Sequence, residues 1–190
     1  MIAPASRELL SFHDGRSGAQ ASDLWRAIAD NHRMNDLLWK EEDLARRRHA
    51  PDAEIAANKR AIDGYNQRRN DAIERIDEFL LSLFAKVQAK EHSRLSSETP
   101  GAMIDRLSIL SLKIHHMRLQ TERTDVEPSH IESCRARLDR LNEQRGDLAA
   151  CLDRLLAEAA RGEARFKVYR QFKMYNDPAL NPAIYGEGKS

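Results

Sequence analysis

Residues 99–117 read TPGAMIDRLSILSLKIHHM and predict a helix that is apolar on two sides. Thr99 is suited to cap this helix, and Pro100 suits its first position, where proline forfeits no hydrogen bond. At 100° per residue, five apolar residues share one face and two lie roughly opposite: Met103, Leu107, Leu110, Ile114 and Met117 against Ile109 and Leu112. A helix that is apolar on both sides is expected at the centre of a bundle.

Three more long helices are predicted from apolar stripes and from their start signals, Ser22, Pro51 and Pro128. Their expected ranges are 22–48, 51–87 and 128–162. A polar loop is expected at 91–98 and a short amphipathic piece at 166–175. A loosely held N-terminal arm is expected at 1–21, with at most a short helical turn around Arg7 to Phe12, followed by a single helical-bundle domain at 22–190. We therefore predict an all-α fold, a bundle of four long helices with a short C-terminal helix and tail packed on it.

The bulk composition excludes several classes of protein. The 190 residues suit one domain, and 31 basic against 30 acidic residues leave a net charge of +1, so nucleic acid and anionic membranes are not expected partners. No apolar run approaches the roughly 20 residues of a membrane span, and the N-terminus lacks signal-peptide features. Cys134 and Cys151 would lie about 25 Å apart on one helix, too far to bond, which favours reduced thiols and a cytoplasmic location.

Polar side chains occupy positions where a simple bundle would carry leucine. Within 51–87, four polar residues fall in an arc of about 60° that borders the isoleucine stripe, and Arg69 lies inside the stripe. A buried amide without a partner costs roughly 1–3 kcal/mol, and an unpaired charge costs more. These groups must therefore form a satisfied network, reach solvent at the helix boundary, or line a wet pocket. The positions are Asp63, Asn66, Asn70 and Asp77; Asn31, Asn35, Glu42 and Arg46; Asp105, Lys113 and His116; and Arg145.

The spacing of polar residues in the first long helix is repeated in the second, at an offset of 35 residues. Asn31, Asn35 and Glu42 are spaced as Asn66, Asn70 and Asp77 are. Because each row borders an apolar stripe, the two helices are expected to present similar polar rows to one shared space, like two halves of a site.

Several segments resemble a bacterial family catalogued as domain of unknown function 4254. The similarity spans about Trp25 to Tyr185, and its motifs are Leu38-Trp39-x-x-Glu42-Asp43-x-Ala45-Arg46, Ile62-Asp63-x-x-Asn66-x-x-Arg69-Asn70, Glu98-Thr99-Pro100-Gly101-x-Met103-Ile104-Asp105-Arg106-Leu107-Ser108-Ile109-Leu110, Lys113-Ile114-x-His116-Met117 and Tyr169-x-Gln171-Phe172-Lys173-Met174-Tyr175-Asn176-Asp177-Pro178. The resemblance implies a cytoplasmic helical protein and a link to gene neighbourhoods for surface-polysaccharide glycosyl transfer. It implies no particular activity, cofactor or mechanism.

The first functional hypothesis is a pocket for a small anionic, hydroxyl-rich ligand, such as a sugar phosphate or nucleotide sugar. Arginine and lysine side chains would clamp the anion, and asparagines would bind hydroxyls. A carboxylate would act as general base, with His116 as a second proton carrier. The candidate catalytic residues are Glu42, Asp63, Asp105 and His116. The candidate ligand-binding residues are Asn35, Arg46, Asn66, Arg69, Asn70, Lys113, Arg145 and Lys173.

Two alternatives stay open at this point. The carboxylate spacing of Glu74 and Asp77, with Glu42 and Asp43 facing them, would suit a metal-dependent all-α nucleotide pyrophosphohydrolase. A non-enzymatic oligomeric adaptor or scaffold would use the polar rows to specify helix pairing, and a homo-oligomer is compatible with that role. Zinc is not expected, because His115 and His116 cannot point the same way on a helix.

Overall fold

The computed structural model describes residues 3–172, 174 and 177–185, and helices account for most of them. The all-α prediction is confirmed. The helices are α1 Ser6–His13, α2 Asp23–Ala45, α3 Asp52–Leu83, α4 Pro100–Thr121, α5 Pro128–Ala160 and α6 Pro182–Tyr185. Two short strands, β1 Arg94–Leu95 and β2 Ala164–Arg165, pair in parallel. Within the described residues, no helix combines the length and the apolar character needed to cross a bilayer.

The long helices begin at the predicted residues. The Ser22 side chain accepts a hydrogen bond of 3.2 Å from the Trp25 backbone N–H, and Thr99 Oγ1 accepts one of 3.2 Å from Ala102. Both caps satisfy a donor that the first helical turn leaves unpaired. After α5, Gly162 adopts a left-handed backbone conformation with φ of 71°. A side chain there would also collide with the Gln88 carbonyl, so only glycine fits this turn.

Helix α4 is the central helix of the bundle, as its two apolar sides predict. It contacts α1, α2, α3 and α5. Ile104, Leu107 and Ile114 are fully or almost fully buried, and each such side chain contributes roughly 1.5–3 kcal/mol through removal from water. The core continues into the neighbouring helices through Leu24, Ile28, Ile76, Leu80, Leu152 and Leu155. Because α4 is surrounded, its polar residues face other helices as well as solvent.

Helices α2 and α3 form a hairpin across a short connection, residues 46–51. Exposed ion pairs join Arg47 to Glu54 near the connection and Arg75 to Asp30 farther from it, as an antiparallel arrangement requires. The repeated rows of polar residues on α2 and α3 therefore run in opposite directions along neighbouring helices. Asn35 lies at the level of Asn66.

The N-terminal segment contains the helical turn that the sequence suggests around Arg7 to Phe12, but it is held more firmly than the predicted loose arm. Residues 6–13 form α1, and Leu9 is fully buried in the main core cluster. Ser6 donates hydrogen bonds to Asp153 from its backbone nitrogen, at 2.9 Å, and from its hydroxyl, at 2.6 Å. The glycines after residue 13 stop the helix but do not loosen it, because burial of Leu9 holds the segment on the bundle.

The C-terminal region also differs from prediction. Residues 166–172 of the predicted amphipathic piece have no regular secondary structure, and the short helix is α6. Arg170 holds this segment against α3 through Glu74, at 2.8 Å, and Glu78, at 2.7 Å. The predicted polar loop at 91–98 contains β1. A two-residue strand carries too little periodicity to be detected in a sequence.

Candidate functional site

A buried amide–carboxylate cluster lies between α2 and α4. Oδ1 of Asp105 accepts hydrogen bonds from Nδ2 of Asn31, at 2.8 Å, and of Asn35, at 3.0 Å. Asn35 Nδ2 also donates a hydrogen bond of 3.0 Å to Ser108 Oγ. The same hydroxyl forms a hydrogen bond of 2.8 Å with Nδ1 of His32. These polar groups compensate one another for the loss of water, which is the condition for placing them in a core.

Helical spacing assembles this cluster. Asn31 and Asn35 are four residues apart on α2, and Asp105 and Ser108 are three apart on α4, so each pair projects from one face. Packing α2 against α4 then brings the two faces together. The prediction that these inward polar residues converge is confirmed for Asn35 and Asp105.

A cavity of about 400 Å³ opens beside this cluster, between α2, α3 and α4. We call it the polar cavity. Its walls combine polar and charged side chains with apolar ones: Asn35, Leu38, Trp39, Glu42, Asp43, Arg46, Asn66, Arg69, Ile109 and Leu112. Five of the predicted site residues are therefore brought together here. The volume falls in the range of small-molecule pockets.

Arg69 is the less exposed of the two arginines that line the polar cavity. Its side chain is 27% exposed, and its Nε atom is buried without a hydrogen-bond partner in the described part of the chain. Asp105 Oδ1 lies 3.8 Å from Nε, close enough for an ion pair but too far for a hydrogen bond. Asn66, one turn away, makes no hydrogen bond to any described residue, so both groups keep donors for another partner.

Arg46 and Glu42 form a more exposed ion pair at the wall of the same cavity. Arg46 Nη1 lies 2.8 Å from Glu42 Oε2 and also donates to the Glu42 backbone carbonyl, at 2.6 Å. Exposed pairs one helical turn apart are weak, typically about 0.3–0.5 kcal/mol. An anion could therefore take Arg46 from Glu42 at little cost.

A second cavity, of about 580 Å³, also adjoins Trp39, and we call it the aromatic cavity. The rings of Trp39 and His116 stack with centroids 4.3 Å apart and planes 3° apart. Partial burial and then the neighbouring His115 lower the pKa of His116 below its usual 6.5. The lining residues are Trp39, Asp43, Lys113, His116, Met117, Gln120, Arg137, Arg140, Leu141 and Gln144.

The other predicted site residues lie elsewhere. Asp63 forms an ion pair with Lys59 on the outer face of α3, and Arg145 pairs with Asp14 at 2.6 Å. Asn70 is buried, with Oδ1 lacking a hydrogen bond from any described residue, and it does not line the polar cavity. Lys113 and His116 line the aromatic cavity. Lys173 is outside the described residues.

Sequence reasoning missed the contribution of α1 to this region. His13 is buried, and neither of its ring nitrogens has a hydrogen-bond partner among the described residues. Its ring packs on His32, with centroids 4.8 Å apart, and His32 leads through Ser108 to Asn35. A histidine in a glycine-flanked N-terminal segment offers no periodicity that would reveal this contact.

The predicted carboxylate pair for a metal is engaged by the protein itself. Glu74 binds Arg170 and accepts a hydrogen bond of 3.1 Å from the Gln171 backbone. Asp77 is 2% exposed and accepts a hydrogen bond from Gly101, so the two carboxylates serve different contacts. No group of three histidine, cysteine or acidic residues within the described ranges has the geometry of a metal site.

The chain matches a known protein family over most of its length. Residues 25–168 match the family model described as "Protein of unknown function (DUF4254)". The chain belongs to this family. The match covers every residue that lines the polar cavity and the aromatic cavity, whereas α1 lies before its start. No curated protein and no solved structure matches the chain.

Proposed function

We propose that this DUF4254 protein binds a small anionic, hydroxyl-rich ligand, such as a sugar phosphate or nucleotide sugar, in the polar cavity. Arg69 carries the proposal. Its side chain lines the cavity and is 27% exposed, and its buried Nε atom has no hydrogen-bond partner in the described residues. A guanidinium fork matches the oxygens of a phosphate or carboxylate, and such charge-assisted bonds are strong where water is excluded.

The neighbouring side chains suit the hydroxyl groups of a sugar. Asn66 contributes a whole amide, Asn35 only its carbonyl oxygen because its Nδ2 already donates to Asp105 and Ser108, and Glu42 contributes a carboxylate. Amides both donate and accept hydrogen bonds, so they fit hydroxyls better than they fit a bare anion. Of the four residues predicted as catalytic, Glu42 alone lines this cavity and is the candidate for any proton transfer.

The buried cluster behind the cavity supports this role by positioning Arg69. Asn31 and Asn35 donate to the same oxygen of Asp105, Oδ1, and so offset the cost of burying its carboxylate. Its charge then attracts the Arg69 guanidinium from 3.8 Å without saturating it with hydrogen bonds. A cation fixed in place but not fully bonded is pre-organised for an incoming anion.

Location and pathway are part of the same proposal. A cytoplasmic site suits free thiols at Cys134 and Cys151, since disulfides are rare in that compartment. A ligand of this chemistry would also suit a role in surface-polysaccharide glycosyl transfer, where nucleotide sugars serve as donors. Both suggestions go with the proposed ligand class.

The test is a thermal shift of the native chain with glucose 1-phosphate, repeated with a metal chelator. We expect a rise in melting temperature that persists with the chelator, because Arg69 rather than a metal holds the anion. Arg69→Gln should abolish the shift while keeping the helical circular dichroism spectrum. Arg68→Gln, the exposed neighbour, should behave as the native protein.

A second variant tests the same site independently, in case Arg69→Gln unfolds the chain. Asn66→Asp places a negative charge in the cavity at a half-buried residue without hydrogen bonds to the described residues, so the fold should tolerate it. Repulsion should then remove the ligand-induced shift. Equal shifts in the native chain, Arg69→Gln and Asn66→Asp would refute a ligand site in this cavity, as would no shift with any sugar phosphate or nucleotide sugar.

The scaffold alternative has one observation in its favour. Apolar side chains along the C-terminal tail are exposed, with Phe172 at 85%. Exposed apolar groups that occur together mark interaction surfaces more often than isolated ones do. Analytical ultracentrifugation of the native chain and of Phe172→Ser tests this alternative, which requires an oligomer in the first and a smaller species in the second.

A further inference from the structure

The two cavities meet at two residues of α2. Trp39 and Asp43 line both, and they stand one helical turn apart, about 6 Å along the axis. Arg46 and Arg69 line the polar cavity alone, whereas the aromatic cavity has cations of its own, Lys113, Arg137 and Arg140. A ligand that occupies both spaces would therefore pass Trp39 and Asp43 on its way from one to the other.

The aromatic cavity has the chemistry of a site for a planar ring. The stacked pair of Trp39 and His116 forms an aromatic wall, and Met117 and Leu141 add apolar surface. A flat heteroaromatic ring stacks on such a wall through its π face. Gln120 and Gln144 add amides that can donate to and accept from the edge of the ring.

We infer that the aromatic cavity is a nucleobase subsite, and that the ligand of the polar cavity is a nucleoside diphosphate or its sugar ester. The inference rests on the proposed function and narrows its ligand class. The groups follow the order of a nucleotide: an aromatic wall for the base, the Asp43 carboxylate at the junction for ribose hydroxyls, and Arg46 and Arg69 for the phosphates. A sugar phosphate without a base would leave the aromatic cavity empty.

Calorimetric titration of the native chain separates these ligands. Uridine, adenosine and guanosine diphosphates are compared with glucose 1-phosphate and pyrophosphate, which carry no ring of this kind. At least one nucleoside diphosphate should bind tenfold or more tightly than both ring-free ligands, which is the contribution expected from stacking one base.

A variant that fills the aromatic cavity tests whether this cavity causes the tighter binding of nucleoside diphosphates. Leu141→Trp should remove the tenfold preference and leave the affinity for glucose 1-phosphate unchanged, because Leu141 does not line the polar cavity. Leu119→Trp is the matched control, since Leu119 is exposed and lines neither cavity. An unchanged preference in Leu141→Trp would overturn the inference.

Trp39 itself supplies a local reporter. The chain contains two tryptophans, so Trp25→Phe leaves Trp39 as the sole tryptophan, which can be excited selectively. A nucleoside diphosphate should quench its emission more strongly than glucose 1-phosphate does. Trp39 lines both cavities, but only the nucleotide brings a ring that can stack on the aromatic wall. Equal affinity for ring-containing and ring-free ligands would overturn this inference and leave the proposed function standing. Absence of binding by all of them would overturn both.

Discussion

Oδ1 of Asp77 on α3 accepts a hydrogen bond of 2.6 Å from the backbone N–H of Gly101, in the first turn of α4. Asp77 thereby ties the start of the central helix to α3 and satisfies a donor that the helix leaves unpaired. Burial raises the pKa of Asp77 to about 6, although hydrogen bonds from Thr99 and Gly101 act in the opposite direction. The contact fixes where α4 begins, and the titration of Asp77 makes the stability of the fold depend on pH.

We expect Asp77→Asn to make unfolding less sensitive to pH. The folded pKa of about 6 exceeds the ordinary 3.8, so the contribution of Asp77 to stability is full below pH 3.8 and is lost as the pH rises through 6. This difference in pKa corresponds to at most about 3 kcal/mol in the free energy of unfolding. Asparagine keeps the acceptor oxygen without the charge. Urea unfolding at pH 4 and pH 7 measures the effect. The free energy of unfolding of Asp77→Asn, relative to that of the native chain, should be higher at pH 7 than at pH 4. An equal difference at the two pH values would contradict the assignment.

Opposite effects are expected from the same substitution at two glycines. A Cβ atom on Gly101 would lie 2.6 Å from the Ile73 carbonyl oxygen, so Gly101→Ala should force α3 and α4 apart and cost about 1–3 kcal/mol. Gly146 lies within α5 with nothing within 4 Å of its Cβ direction, so Gly146→Ala should stabilise by about 0.5–1 kcal/mol. Chemical denaturation of both variants gives the two signs. A gain in stability for Gly101→Ala would show that the two helices are not packed this closely.

Asn70→Leu is expected to raise the free energy of unfolding by about 1 kcal/mol. The Oδ1 atom of Asn70 is buried and accepts no hydrogen bond from the described residues, and leucine has a similar shape without that cost. Asn66→Leu should bring no comparable gain, since Asn66 is half-buried at the polar cavity. Glucose 1-phosphate should still stabilise Asn70→Leu but not Asn66→Leu. Loss of ligand binding in Asn70→Leu with unchanged stability would return Asn70 to the ligand-binding set that the sequence predicts.

His13→Leu should reduce the loss of stability in mild acid. Burial, followed by the charges of His32 and Arg145, lowers the pKa of His13 from 6.5 to about 3. The folded chain keeps His13 neutral while the unfolded chain binds a proton, so stability declines as the pH falls below 6.5 and is lower by about 2 kcal/mol at pH 5. Unfolding at pH 7 and pH 5 should show a smaller decline for His13→Leu than for the native chain. His115→Leu, at an exposed position, serves as the control and should decline as the native chain does.

The helices could be predicted well because their signals are local. Ser22, Thr99 and Pro128 mark helix starts by their own chemistry, and the two apolar sides of α4 require neighbours on both. The convergence of Asn35 and Asp105 followed from the same periodicity, because inward faces of packed helices must meet. Helical spacing is thus enough to predict which residues enter the interior.

What could not be predicted depends on partners distant in sequence. Arg145 was expected beside the ligand, but its angle on α5 is equally compatible with the contact to Asp14 that the structure shows. Asp63 lies on the border of the α3 stripe, where a small rotation decides between cavity and solvent. The burial of α1 depends on Leu9 finding a gap between helices, which no local pattern encodes.

Helix α1 has a practical consequence for defining this protein by its family boundaries. A chain trimmed to residues 25–168 would lose Leu9, expose the Trp25 ring that packs on Phe12, and separate Arg145 from Asp14. His32, which leads through Ser108 to Asn35, would meet water in place of His13. The borders of sequence similarity are therefore narrower than those of the folding unit, and affinities measured on such a fragment would describe an altered pocket.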